Sequence, residues 1–147
     1  MTTRPANIVV ACDGSPQSLE AAQLAVALAR DGELPLTFLT VFPRARSEIL
    51  AIRGTPTSDQ EENQAQYRRK VFESTRQVTG TESDAVEEVL LAGDPAEEII
   101  AYMDTHPGTQ LVLGRRGHSL MRSLTLGSVS EKVIRHAHGP VTVVSDC

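Results

Sequence analysis

Five short apolar runs recur along the chain, and the first four each lead toward a stretch with the character of a helix. The runs are residues 7–12 (Asn-Ile-Val-Val-Ala-Cys), Pro35 to Phe42, Val86 to Leu91, residues 110–113 (Gln-Leu-Val-Leu) and Val141 to Val144. Runs this short and continuous suit strands buried on both faces. Strands of that kind alternating with helices imply a parallel sheet covered by helices on both sides. The order reads βαβ(loop)αβαβαβ. The third run alternates more than the others and is placed nearer an edge.

Local signals set the helix limits. Asp13-Gly14-Ser15-Pro16 ends the first strand, with Ser15 suited to an N-cap and Pro16 to the first helical position. The Ala/Leu-rich segment 16–30 follows, stopped by Asp31-Gly32. From Arg44 to Thr57 no period is visible, and Gly54 and Pro56 break the chain, which predicts a long, mobile loop. Ser58-x-x-Glu61 forms a capping box for a helix to about Thr79, with Tyr67, Val71, Thr75 and Val78 as its inward stripe. Asp94-Pro95-Ala96-Glu97 combines an N-cap, an initial proline and an acid at the third position, ahead of a helix that ends at His106-Pro107-Gly108. Ser128-x-x-Glu131 is read as the cap of the last helix, whose Val129, Val133, Ile134 and Ala137 face inward before Gly139-Pro140 stops it.

With 147 residues, 40% of them hydrophobic, the chain can bury the core of one domain. A single domain over residues 1–147 is expected, because no repeat or second unit fits. Aromatics are few, so Val, Leu, Ile and Ala must fill the core. The net charge of −5 argues against a nucleic-acid surface, which carries a basic footprint. The clusters Arg44/Arg46/Arg53 and Arg68/Arg69/Lys70 read as solvated faces. No apolar stretch approaches the ~20 residues of a membrane span, and the N-terminus lacks the apolar region of a signal peptide. Cys12 and Cys147 are too few for a disulfide framework. A cytoplasmic protein with incidental thiols is expected.

Chemistry concentrates after the fourth strand. Gly114, Gly117 and Gly127-Ser128 form Gly-x2-Gly-x9-Gly-Ser, from a strand end to a helix start. Glycine permits close backbone approach, and a helix start offers unpaired N–H groups to an anion. Open parallel sheets bind ligands beyond the carboxyl ends of their strands, where the strand order reverses. With a central first strand, that point lies between strands one and four. Ala11-Cys12-Asp13 and the segment from Leu113-Gly114 to Ser130 then converge on one cleft.

These residues resemble the universal stress protein family over essentially the whole length, from Ile8-Val-Val-Ala-Cys-Asp-Gly-Ser to Gly139-Pro-Val-Thr-Val-Val. In that family the glycine pattern marks the ATP-binding branch, and Gly114, Gly117, Gly127 and Ser128 fill its fixed positions. Asp13 and Gly93-Asp94-Pro95 match further positions. The resemblance implies a three-layer α/β open sandwich with sheet order 3-2-1-4-5, of the adenine nucleotide alpha hydrolase type. It also implies ATP or AMP as ligand and a regulatory role in stress response. Ala11, Cys12 and Asp13 would line the adenosine, Val41 the adenine, and Leu113 and Gly114 the opposite wall. Gly117, Gly127, Ser128, Val129 and Ser130 would hold the phosphates. Family members commonly dimerise through the last strand, so a homodimer through residues 141–144 is expected. One departure is His138-Gly139-Pro140, where the family more usually has Cys-Pro.

Several residues carry two readings. Ser128 serves its own helix as a cap or a phosphate as a ligand, and Ser130 is the less committed hydroxyl. Asp13 punctuates the helix start, or meets ribose hydroxyls or a magnesium ion brought by ATP. Cys12 is a small buried residue unless its pKa is depressed. Arg115 and Arg116 neutralise phosphates or sit in a solvated loop, and His118 follows them. His136 and His138 do not share a helix face, and no zinc pattern is present. Without a paired acid and base, a nucleophile with its base, or a Walker lysine, the expectation is a nucleotide holder. A slow ATPase or phosphoryl-transfer enzyme using Asp13 or His118 with a metal is the alternative, and a partner-binding scaffold with a vestigial pocket a third.

Overall fold

The computed structural model describes residues 4–43, 57–115 and 127–145, with Ile52 and Gly54 individually. The elements are β1 (Asn7–Ala11), α1 (Pro16–Gly32), β2 (Leu36–Pro43), α2 (Thr57–Thr79), β3 (Glu87–Gly93), α3 (Pro95–Thr105), β4 (Thr109–Gly114), α4 (Ser128–His136) and β5 (Val141–Val144). All strand pairs are parallel, and the sheet order is β3-β2-β1-β4-β5. This is the expected three-layer α/β sandwich, with β3 at an edge. The loop expected over 44–57 lies outside the described residues apart from Ile52, Gly54 and Thr57, which opens α2.

Two cores explain why β1 reads as unbroken apolar sequence. Val10 packs with Phe38 and Val112 beneath α1 and α2, where Ala21, Ala25, Val71 and Phe72 are buried. Val9 points to the opposite face, with Leu39, Leu111, Ile99 and Met103 from α3 and Val133 from α4. Both valines are fully buried, each contributing about 1.5–3 kcal/mol by leaving water. At α2's end, Arg76 pairs with Glu88 at 2.6 Å and donates to the carbonyls of Thr81, Asp84 and Val86. That clamp fixes α2 against the edge strand.

Four local expectations need correction. Asp31 and Gly32 do not stop the first helix but form its last two residues. Glu33 takes the left-handed turn at φ 54°, while a Cβ at Gly32 would meet Leu34 Cδ1 at 3.2 Å. Helix α2 starts at Thr57, so Ser58, expected to precede the helix, falls within its first turn. Val78 is 42% exposed, and Phe72 occupies the inward stripe in its stead. Ile134 is 44% exposed, because only one residue per turn of the short α4 reaches the sheet fully, and that residue is Val133.

Candidate functional site

The strand order reverses between β1 and β4, and a cleft of about 310 Å³ opens beyond their carboxyl ends. This lies within the usual size of small-molecule sites. Its walls come from the ends of β1, β2 and β4 and the first turns of α1, α3 and α4, with one residue of α2.

The segment after β1 is held rigidly. Asp13 Oδ1 accepts the Ser15 N–H at 2.9 Å, and the Asp13 N–H donates to Ser18 Oγ at 3.3 Å. Ser15 Oγ caps α1 by accepting from Ser18 N at 3.2 Å. Gly14 between them has φ 81°, a left-handed turn that glycine adopts without steric cost. Asp13 is thus helix-start punctuation and cleft wall at once.

On the other side, Arg115 joins the loop ends. Its N–H donates to Val144 O at 2.9 Å, and its carbonyl accepts the Gly127 N–H at 2.9 Å. Helix α4 begins directly afterwards with Gly127 as N-cap and no side-chain cap bond. The reading of Ser128 as the cap is therefore corrected: it is the first helical residue, exposed on the cleft wall. The N–H groups of Ser128, Val129 and Ser130 precede the first intrahelical bond, Glu131 N to Gly127 O at 2.9 Å, and have no helical acceptor. They give the cleft a partial positive end.

Ser130 also differs from expectation. Its side chain is buried, and Oγ donates to Gly114 O at 2.7 Å. It is a strut between α4 and β4, so Ser128 is the less committed hydroxyl. At Gly114 a Cβ would lie 3.0 Å from the Gln17 backbone carbonyl. The close approach that this glycine allows is therefore to α1.

Ten of the twelve predicted site residues line the cleft: Ala11, Cys12, Asp13, Val41, Leu113, Gly114, Gly127, Ser128, Val129 and Ser130. Arg116 and Gly117 lie outside the described residues, as does His118. Sequence reasoning missed Leu39, Thr40 and Pro43 on β2, Pro95 and Ile99 on α3, Ser18 and Tyr67. The β2 and α3 residues follow from the rule that ligands sit at strand ends. Tyr67 carried no such signal, because the register of α2 on the sheet depends on packing. Thr40 Oγ1 is buried and makes no hydrogen bond among the described residues.

Burial pushes the Cys12 thiol up to about 12, despite a hydrogen bond from Thr75 that lowers it. It lines the cleft as a small, unreactive wall residue. Among the described residues no three His, Cys, Asp or Glu side chains gather to hold a metal. Asp13 is the one carboxylate on the described cleft wall, so a magnesium ion would take most of its oxygens from phosphates and water. No helix among the described residues is long and apolar enough to cross a membrane.

Comparison with known proteins bears on this site. Residues 6–145 match the model of the Universal stress protein family. Universal stress protein YxiE of Bacillus subtilis is 29% identical over 93% of the chain and 97% of its own length. Universal stress protein MJ0531 of Methanocaldococcus jannaschii is 30% identical over 93% of the chain and 80% of its own. Among solved structures, hypothetical protein MJ0577 superposes with a TM-score of 0.78 at 20% identity, covering 97% of both chains. A universal stress protein in complex with cAMP gives 0.68 at 21% identity over 97% of this chain and 98% of that one. One from Archaeoglobus fulgidus in complex with dAMP gives 0.64 at 24% identity, with the same coverage.

Proposed function

The chain belongs to the universal stress protein family, and from that premise we propose that its cleft holds an adenine nucleotide, ATP or AMP, in a regulatory or signalling role under stress. One observation carries the reading. The end of β1 and the start of α4, far apart in sequence, line one cleft, whose wall includes the first three residues of α4 together with the apolar Leu39, Val41 and Ile99.

In this arrangement phosphates take the N–H groups of Ser128, Val129 and Ser130 and the Ser128 hydroxyl, joined by Gly117 and Arg116. Asp13 meets the ribose hydroxyls or a metal-bound water. The base lies toward Leu39, Val41 and Ile99. Two structural relatives were solved with cAMP and dAMP, which supports the base; the triphosphate rests on the glycine pattern. Holding is favoured over turnover because no Walker lysine and no nucleophile with its base accompanies the glycine pattern in the sequence. The chain also pairs with a second copy through β5, whose free edge invites strand addition.

Calorimetry with ATP and AMP tests the reading. Micromolar binding is expected, lost in Gly127→Val; equal affinity in that variant removes the nucleotide from this cleft. The alternative, a slow ATPase using Asp13 and a divalent cation, wins if ATP with Mg²⁺ turns over and Asp13→Ala abolishes it. Sedimentation at micromolar concentration tests the dimer, which a monomer refutes.

A further inference from the structure

We propose that Tyr67 stacks on the purine of the bound nucleotide and closes the base end of the cleft, an inference that rests on the nucleotide reading above. Tyr67 is the α2 residue on the cleft wall, and the one aromatic side chain among the described lining residues. A helix presents side chains and not backbone to a neighbouring cavity, so it is the ring that forms this wall.

The stripe of α2 that covers the sheet grades toward the cleft. Thr75 and Val71 are buried, whereas Tyr67, one and two turns further on, is only half-buried. Its ring meets Phe42 of β2 at 5.4 Å between centroids and 84° between planes. That edge-to-face contact, a favoured geometry for aromatic pairs, holds the ring in one plane. Leu39, Val41 and Ile99 supply an apolar floor beside it. The anion-binding N–H groups belong to α4 at the end of β4, two strand spacings from β2, or about 9–10 Å. A nucleotide with its phosphates at α4 therefore carries its base beneath Tyr67. Stacking of a base on an aromatic side chain changes affinity severalfold to a hundredfold on removal.

The chain has no tryptophan and two tyrosines. The other, Tyr102, stacks on His106 at 3.9 Å at the far end of α3. Emission from a Tyr102→Phe chain therefore reports on Tyr67 alone. We expect ATP to quench that emission while tripolyphosphate, which has no base, leaves it unchanged. In calorimetry Tyr67→Leu should bind ATP about tenfold more weakly and Tyr67→Phe, which keeps the ring, as the native chain does. Measurable ATP binding with unquenched Tyr67 and native affinity in Tyr67→Leu overturns the inference and leaves the nucleotide reading standing. So does a loss of affinity in Tyr67→Phe, which would assign the role to the hydroxyl. If Tyr67→Leu does not fold, the emission titration and Tyr67→Phe decide. Absence of ATP binding to the native chain removes both proposals together.

Discussion

Gly114→Ala should destabilise the protein without any ligand present. The new Cβ would lie 3.0 Å from the carbonyl carbon, Cβ and carbonyl oxygen of Gln17. Two of those atoms are backbone in the first turn of α1. That turn is fixed by the Ser15 cap and the Asp13–Ser15 contact, so it does not yield as the tip of a flexible side chain would. Overpacking against a fixed neighbour costs about 1–3 kcal/mol; we take about 2. Unfolding entropy near 2.1 cal/mol/K per residue gives roughly 0.3 kcal/mol/K for 147 residues. The melting temperature should then fall by about 6 °C, measured by circular dichroism on nucleotide-free protein. Gly127→Ala is the counterpart: its φ of −67° and ψ of 160° suit any residue. Stability there should change by less than about 1 kcal/mol, while affinity for ATP falls. A Gly114→Ala melt within 1 °C of native would refute the packing argument and return this glycine to the ligand.

Other perturbations test separate parts of the structure. Thr40→Val removes, at constant shape, a buried hydroxyl that has no hydrogen-bond partner among the described residues, and should raise stability in urea by about 1 kcal/mol. Ser130→Ala deletes the bond to Gly114 O and should cost about 1–2 kcal/mol in the same assay. Glu33→Gly relieves the left-handed cap at φ 54° and should add about 1 kcal/mol, read from the thermal midpoint. The Cys12 thiol ionises near 9 in the unfolded chain and near 12 when folded. Its contribution is therefore whole below pH 9 and is lost as pH rises toward 12, by up to about 1.4 kcal/mol per unit. Urea melts of a Cys12→Ala chain should lack that slope.

Periodicity and punctuation made most of the fold legible. Double burial of β1 and the Asp94-Pro95 start of α3 are local properties, and local sequence encodes them: Asp94 accepts from Glu97 N at 3.0 Å, as its position implies. Part of the cleft was legible as strand ends, Asp13 and Leu113 after the first and fourth strands, while Val41 came with the family resemblance. What escaped depends on contacts between distant segments. Whether Ser128 or Ser130 keeps a free hydroxyl is decided by where α4 meets the Gly114 carbonyl, and no spacing reports that. Gly114 looked like a ligand glycine because it opens the glycine pattern, whereas its neighbour in space is α1. Tyr67 reaches the cleft from α2, whose register is set by Val71 and Phe72 in the core and by Arg76 on Glu88 of β3.

The Arg115 peptide acts as a keystone between the sheet and the last helix: its N–H donates to Val144 O, and its carbonyl accepts the Gly127 N–H. The donor turn of α4 is thereby registered to β5 through one peptide unit, with no side chain involved. A change that unseats β5 should therefore be felt at the N–H groups of Ser128, Val129 and Ser130, and a load on those groups should be felt at the sheet's edge.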